Sequence, residues 1–396
     1  MLSLIPQSVV RAATHVIAAF MAWNLASARL FGEGNGGPIH ATLWWTAYYS
    51  ASLLALLLVI HGAARVPLWA SGWAYMFLSK DKKGLTKTPD PGAADAGWGA
   101  DDEGVRSIHL LFLRHGESTW NETFNRGYNP IFFIPRLVYA FAYETWLLAS
   151  GVRDSWFYDS PLSHEGIGQC EALRARLARY DSGGSGADED PSVELAVLRG
   201  DPGAPRSTVV TSNLRRAIST VLIGLWDRLS AAGGGGGGDA GGRGAEKVTV
   251  LQQLQEISRN PDTLSITPRR TPAEPSWIEK DLPQYDMKKA YAGMLNVREN
   301  MGNKDRKTTG LMRLRAFADW CFAGDRGEYV VVGGHSLYFR TFFRVFLPRS
   351  VEGDMKAKKI ANGGVVALTL RRREKEGKAE YRIDPASVKP VYLGWK

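Results

Sequence analysis

Residues 107–121 read SIHLLFLRHGESTWN. The first seven, 107–113, form a short apolar run that predicts a buried strand. The next eight begin where that strand ends. In open parallel sheets, ligands bind beyond the carboxyl ends of strands, so Arg114 and His115 fall where chemistry is expected. Arginine presents a planar fork of donors that matches phosphate oxygens. A neutral imidazole can attack phosphorus and carry a covalent intermediate. Gly116 lets the backbone pass close to a bound group.

Strand and helix patterns alternate on either side of this stretch. Further strands are predicted over 207–211, 248–251, 329–332 and 365–370, with helices over 164–180, 214–229, 311–322 and 336–346. This alternation predicts an α/β fold with a mostly parallel sheet and helices on both faces. Two low-complexity stretches, 181–191 and 231–244, read as surface insertions with no P-loop ending.

The chain of 396 residues is 44 % hydrophobic and 22 % charged, which excludes a wholly disordered protein. Mean hydropathy is −0.20, too polar for a polytopic membrane protein. Two cysteines, Cys170 and Cys321, exclude a disulfide scaffold and a cysteine zinc site. The net charge of +9 suits anionic substrates, lipid or nucleic acid without choosing among them, and no nucleic-acid motif is present.

The amino-terminal region differs from the rest. No charged residue lies between Glu33 and Arg65. Residues 41–64 are long enough to cross a bilayer, and Trp44, Trp45, Tyr48 and Tyr49 crowd one end as interfacial aromatics do. A second apolar run, 66–79, is short for a span and reads as interfacial. Arg11 and Arg29, without an acid before Glu33, also fit a transit peptide or signal anchor. Lys80, Lys82, Lys83 and Lys87 follow, so the remaining chain is expected on the cytosolic side or in an organelle interior. The predicted organisation is a membrane-anchoring region over 1–79 with a single span at 41–64. A flexible linker over 80–104 and a catalytic domain over 105–396 complete it. A chain lacking 1–104 is then expected to be soluble and active.

Residues 114–121 match R-H-G-E-x-x-W-N throughout, and the chain here resembles the histidine phosphatase superfamily, also called phosphoglycerate mutase-like. Its other elements follow in order. Residues 159–166 (DSPLSHEG) resemble D-x-P-L-T/S-x-x-G, and 211–217 (TSNLRRA) resemble S-x-L-x-R-A. Residues 254–256 (LQE) resemble L-x-E, and 330–335 (VVVGGH) the element holding the second histidine. The resemblance covers about 105–370. It implies a phosphoglycerate mutase-like fold and metal-independent hydrolysis of phosphomonoesters, without a cofactor.

By the same resemblance, His115 becomes phosphohistidine. Arg114, Asn121, Arg216 and His335 hold the phosphoryl group, and Glu256 protonates the leaving oxygen and then activates water. The expected substrate is a small phosphorylated compound or a phosphoprotein. Ser336-Leu337 replace the usual Gly-Gly after the second histidine. The mutase continuation E-R-H-Y-G is absent, because Glu256 is followed by Ile257-Ser258-Arg259. Hydrolysis is therefore favoured over a mutase-like isomerase, and the retained side chains argue against a phosphate-binding pseudoenzyme. Residues 130–150 form an apolar insertion, read either as a helix packed on the domain or as an interfacial helix.

Overall fold

The computed structural model describes residues 38–85, 90–91, 98–99, 102, 104–181, 192–231 and 246–396. The region before residue 38 and nearly all of both low-complexity insertions lie outside the described residues. The chain forms two compact units. Among the described residues, one holds those up to 74 together with those of 127–156, and the other those of 75–126 together with those of 157–396.

The larger unit is a mixed α/β layer structure around an eight-stranded sheet. Its strands are β1 (Arg106–Arg114), β2 (Ser207–Ser212), β3 (Val248–Leu251) and β4 (Leu295–Asn296), then β5 (Tyr329–Gly334), β6 (Val365–Lys375), β7 (Lys378–Ile383) and β8 (Lys389–Tyr392). The order is β4-β3-β2-β5-β1-β6-β7, with β8 also paired to β6. From β4 through β1 every pairing is parallel, whereas β6 pairs antiparallel with β1, β7 and β8. The sheet is thus parallel on one side of β1 and antiparallel on the other. The five strands predicted from the sequence all occur.

Alternation along β1 separates two cores. Ile108, Leu110 and Phe112 pack on one face with helix Ser336–Phe346, and Leu111 and Leu113 pack on the other with helices His164–Asp181 and Arg215–Gly224. In Ser336–Phe346 the residues Phe339, Phe342, Phe343 and Phe346 recur at helical spacing and make one apolar face. Phe339 stacks on Phe112 with ring centroids 4.3 Å apart. Burying each such ring is worth about 1.5–3 kcal/mol, which pins this helix to the strand that carries the motif. The helix predicted over 214–229 is two pieces, Arg215–Gly224 and Trp226–Ala231, broken at Leu225.

The amino-terminal helix departs from expectation. It spans Pro38–Leu78 and does not stop at Ala64. Its parts Tyr48–Ile60 and Arg65–Leu78 meet at a 59° bend, just ahead of Pro67. Arg65 is accommodated because its guanidinium pairs with Glu144 at 2.9 Å and donates to the Val152 carbonyl at 2.8 Å. The apolar insertion is the helix Pro130–Ala149, capped by Asn129. It lies in the same compact unit as the amino-terminal helix, not in the larger unit. The segment predicted as a linker also carries a fixed residue, since Asp81 is fully buried in the larger unit.

Candidate active site

The carboxyl ends of β1, β2, β3 and β5 open onto one edge of the sheet, and the motif residues follow those ends. His115 comes directly after β1 and donates its backbone N–H to the Gly334 carbonyl at 2.9 Å. That places it beside His335, with ring centroids 5.1 Å apart. Gly116 is required by close packing, because a Cβ there would lie 2.4 Å from the Gly166 carbonyl oxygen. The Gly116 N–H donates to Thr220 Oγ1 at 3.0 Å, and Thr220 donates to the Arg216 carbonyl at 2.7 Å. The histidine turn and the arginine helix are thereby tied together.

His115 Nδ1 lies 2.6 Å from the Gly116 carbonyl oxygen. A carbonyl only accepts, so Nδ1 carries the proton and Nε2 holds the lone pair. Burial, then the charges of Arg216 and Arg114, hold the His115 imidazole well below its usual range. Burial, Arg216 and His115 do the same for His335. His335 Nε2 contacts Ser212 Oγ at 2.9 Å.

Arg114 donates to the Ile360 carbonyl, and its Nε has no partner. Burial pulls its guanidinium down to about 10, with Glu256 opposing that fall. Arg216 donates to the Asp262 carbonyl at 2.7 Å and pairs with its carboxylate at 3.2 Å, and its Nε is also unpartnered. The neighbouring Arg215 is drawn away. Its backbone N–H donates to Asp159 Oδ1 at 2.9 Å and its guanidinium to the Asp159 carbonyl at 3.1 Å.

Glu256 follows β3 and the short turn Gln252–Leu254. Its carboxylate accepts from the backbone N–H of Ile257 at 2.9 Å, Leu337 at 3.2 Å and Tyr338 at 2.7 Å. The last two are free donors at the start of helix Ser336–Phe346, so Glu256 caps the helix that follows His335. Asn121 lies on helix Thr119–Phe124, and its side-chain carbonyl accepts from Asn125 at 2.6 Å.

Three further groups border this cluster. Burial pushes the Asp262 carboxyl up to about 6, and Glu256 adds to the rise against the pull of Arg216. The half-buried Lys359 bears electrostatically on His115 and Arg114. Lys304 is fully buried behind the Glu256 turn. None belongs to a motif element, and only folding brings Lys304 and Lys359 to the cluster. Among the described residues no group of three or more His, Cys, Asp or Glu side chains is arranged to hold a metal ion. A cavity of about 900 Å³ lies at the opposite, amino end of β2, lined by Arg206, Ser207 and Arg228 among others.

No protein-family profile and no curated protein matches the chain. Several solved structures do. The alpha-ribazole phosphatase of Shigella flexneri is 14 % identical, covers 70 % of this chain and 95 % of its own, and gives a TM-score of 0.30. A mycobacterial glucosyl-3-phosphoglycerate phosphatase is 15 % identical, with 70 % and 97 % covered and a TM-score of 0.30. The phosphoserine phosphatase of Entamoeba histolytica is 12 % identical, with 69 % and 94 % covered and a TM-score of 0.27. These three structures are phosphatases.

Proposed function

We propose that this protein is a histidine phosphatase, a phosphomonoester hydrolase that works through a phosphohistidine on His115. The observation that carries this reading is the state of His115. Its Nδ1–H is committed to Gly116, its Nε2 lone pair is available, and Arg114, Arg216 and His335 are buried around it. In this reading Nε2 attacks phosphorus in line with the leaving oxygen. Arg114, Arg216 and His335 place donors on the equatorial oxygens, where charge builds in the transition state. Asn121 adds a donor once its side chain turns from Asn125. Glu256 gives a proton to the leaving oxygen, then takes one from the water that attacks the phosphohistidine. Residues 256–259 favour hydrolysis over a mutase-like isomerisation. The substrate class that suits the site is a small phosphorylated compound or a phosphoprotein. Rapid quenching with labelled substrate tests the mechanism. A protein-bound phosphate stable in alkali and lost in acid is expected, and an alkali-labile ester would overturn it.

We further propose that the chain is held at a membrane through its smaller unit. Pro130–Ala149 is long and apolar enough to cross a bilayer, and the bent pair Tyr48–Ile60 and Arg65–Leu78 passes the same test together. Ile131, Phe132, Val138 and Phe141 are all more than half exposed on the first helix, as are Tyr48, Val59 and Trp73 on the second. The basic run from Lys80 to Lys87 favours a catalytic unit on the cytosolic or organelle-interior side. The full chain should stay in the membrane fraction through alkaline carbonate and leave it only with detergent. Release by carbonate would remove the spanning reading.

A further inference from the structure

We infer that Asp81 is a positioning residue for the Glu256 turn, acting through the two buried cations Lys304 and Arg313. This rests on the reading of Glu256 as the general acid and base.

Asp81 and Lys304 are fully buried, and Arg313 is nearly so. Asp81 Oδ2 accepts from Lys304 at 3.0 Å, and Oδ1 accepts from Arg313 Nη2 at 2.6 Å. Each cation also donates to the main chain around Glu256. Lys304 Nζ donates to the Glu256 carbonyl and to the Ser258 carbonyl at 2.9 Å, and Thr263 Oγ1 lies 3.3 Å away. Arg313 Nη1 donates to the Gln255 carbonyl and to the Gln253 carbonyl at 3.3 Å. Four carbonyls on both sides of the Glu256 side chain are therefore gripped by two cations that share one carboxylate.

The carboxylate is itself held in place. The Asp81 carbonyl accepts from the Gly310 N–H at 2.8 Å, at the start of the helix that carries Arg313. The Gly310 Cα sits against that carbonyl so closely that a Cβ would approach it to 2.8 Å. Lys80 N–H donates to the Arg306 carbonyl at 3.1 Å. The Tyr75 ring lies 4.9 Å from Lys304 Nζ and adds a cation–π contact.

Without the Asp81 charge the two cations would lie together in a buried site and repel. Burial already pulls the Lys304 ammonium down to about 8, and the Asp81 carboxylate works against that fall. Separation of the cations moves the carbonyls they hold, and Glu256 moves with them. A general acid must meet the leaving oxygen within hydrogen-bond reach, so a small displacement is enough to lose the proton transfer. Arg114 and Arg216 hang from other elements, and Arg216 meets this loop only through Asp262. It follows that a chain beginning at residue 105 lacks part of its own active-site support. This revises the expectation that everything before residue 105 is dispensable.

The test uses the full-length protein and compares an alkyl phosphate, glycerol phosphate, with p-nitrophenyl phosphate. Asp81→Asn keeps the shape and removes the charge. It should lower kcat on the alkyl ester by roughly 10²-fold, the scale of a misplaced catalytic group. Phosphoenzyme formation from the aryl ester should change less than about threefold, because nitrophenolate leaves without a proton. KM for both should hold, and Asp81→Glu should restore part of the alkyl rate. Equal losses on both esters, or none on either, would overturn the proposal. Should Asp81→Asn fail to fold, the double variant Asp81→Asn/Lys304→Met removes one charge of each sign, and the same split decides. Glu256→Gln is measured in parallel. If it shows no preference for the aryl ester, the reading of Glu256 is wrong and the inference falls with it. If it does and the Asp81 variants do not, only the inference falls.

Discussion

On the proposed mechanism the His115→Ala chain should lose phosphatase turnover by on the order of 10⁴-fold or more, because the group that would form the covalent intermediate is gone. Folding should survive the change. His115 is buried, but its ring makes one side-chain hydrogen bond, to Gly116, and its backbone N–H still reaches Gly334. Arg114 and Arg216 are held by the Ile360 carbonyl and by Asp262, not by the His115 ring. Phosphate and other oxyanions should therefore still bind. The measurements are steady-state turnover, incorporation of labelled phosphate into protein, and binding of inorganic phosphate by calorimetry. Turnover near the wild-type level in this variant, or labelling that persists in it, would mean that another side chain is the nucleophile.

Glu256→Gln should slow alkyl ester hydrolysis by about 10²–10⁴-fold, the usual contribution of general acid catalysis. The aryl ester should lose much less in the first step, since its leaving group needs little protonation. Some loss should remain there as well, because attack of water on phosphohistidine still needs a base. The phosphoenzyme should then accumulate. The three backbone donors on this carboxylate complicate the variant in a useful way. An amide offers only one acceptor oxygen, so one N–H at the helix start meets another donor, which costs about 1–3 kcal/mol. That cost lowers the folded fraction equally for every substrate. The ratio of alkyl to aryl rates is insensitive to it, and a burst of nitrophenol reports the phosphoenzyme directly. A ratio equal to that of the wild type would leave Glu256 as a helix cap alone.

Much of the core was legible from residue patterns. The five predicted strands lie where short apolar runs sit, because a strand buried on both faces needs a continuous run such as 108–113. Helix Ser336–Phe346 matches its predicted bounds because its aromatic residues repeat with the helical period. The choice between Arg215 and Arg216 came from resemblance alone. In the structure, Asp159 binds the first, while the second bears on both histidines.

Local order along the chain decided the strands, the helices and the place of His115, since each depends on neighbours a few positions away. Contacts between distant residues decided the rest. The pairs of Asp81 with Lys304 and Arg313 span 223 and 232 positions. A single aspartate between Lys80 and Lys82 looks the same in sequence whether it is solvated or buried. The Glu256 cap on a helix 82 residues away and the proton on His115 Nδ1 have no periodic signature either. Nor does the grouping of 127–156 with the amino-terminal helix, which an apolar run permits but does not specify. Hydrogen bonds and buried charges become strong and selective only where folding excludes water, so the chain's tertiary structure, and no stretch of it alone, sets them.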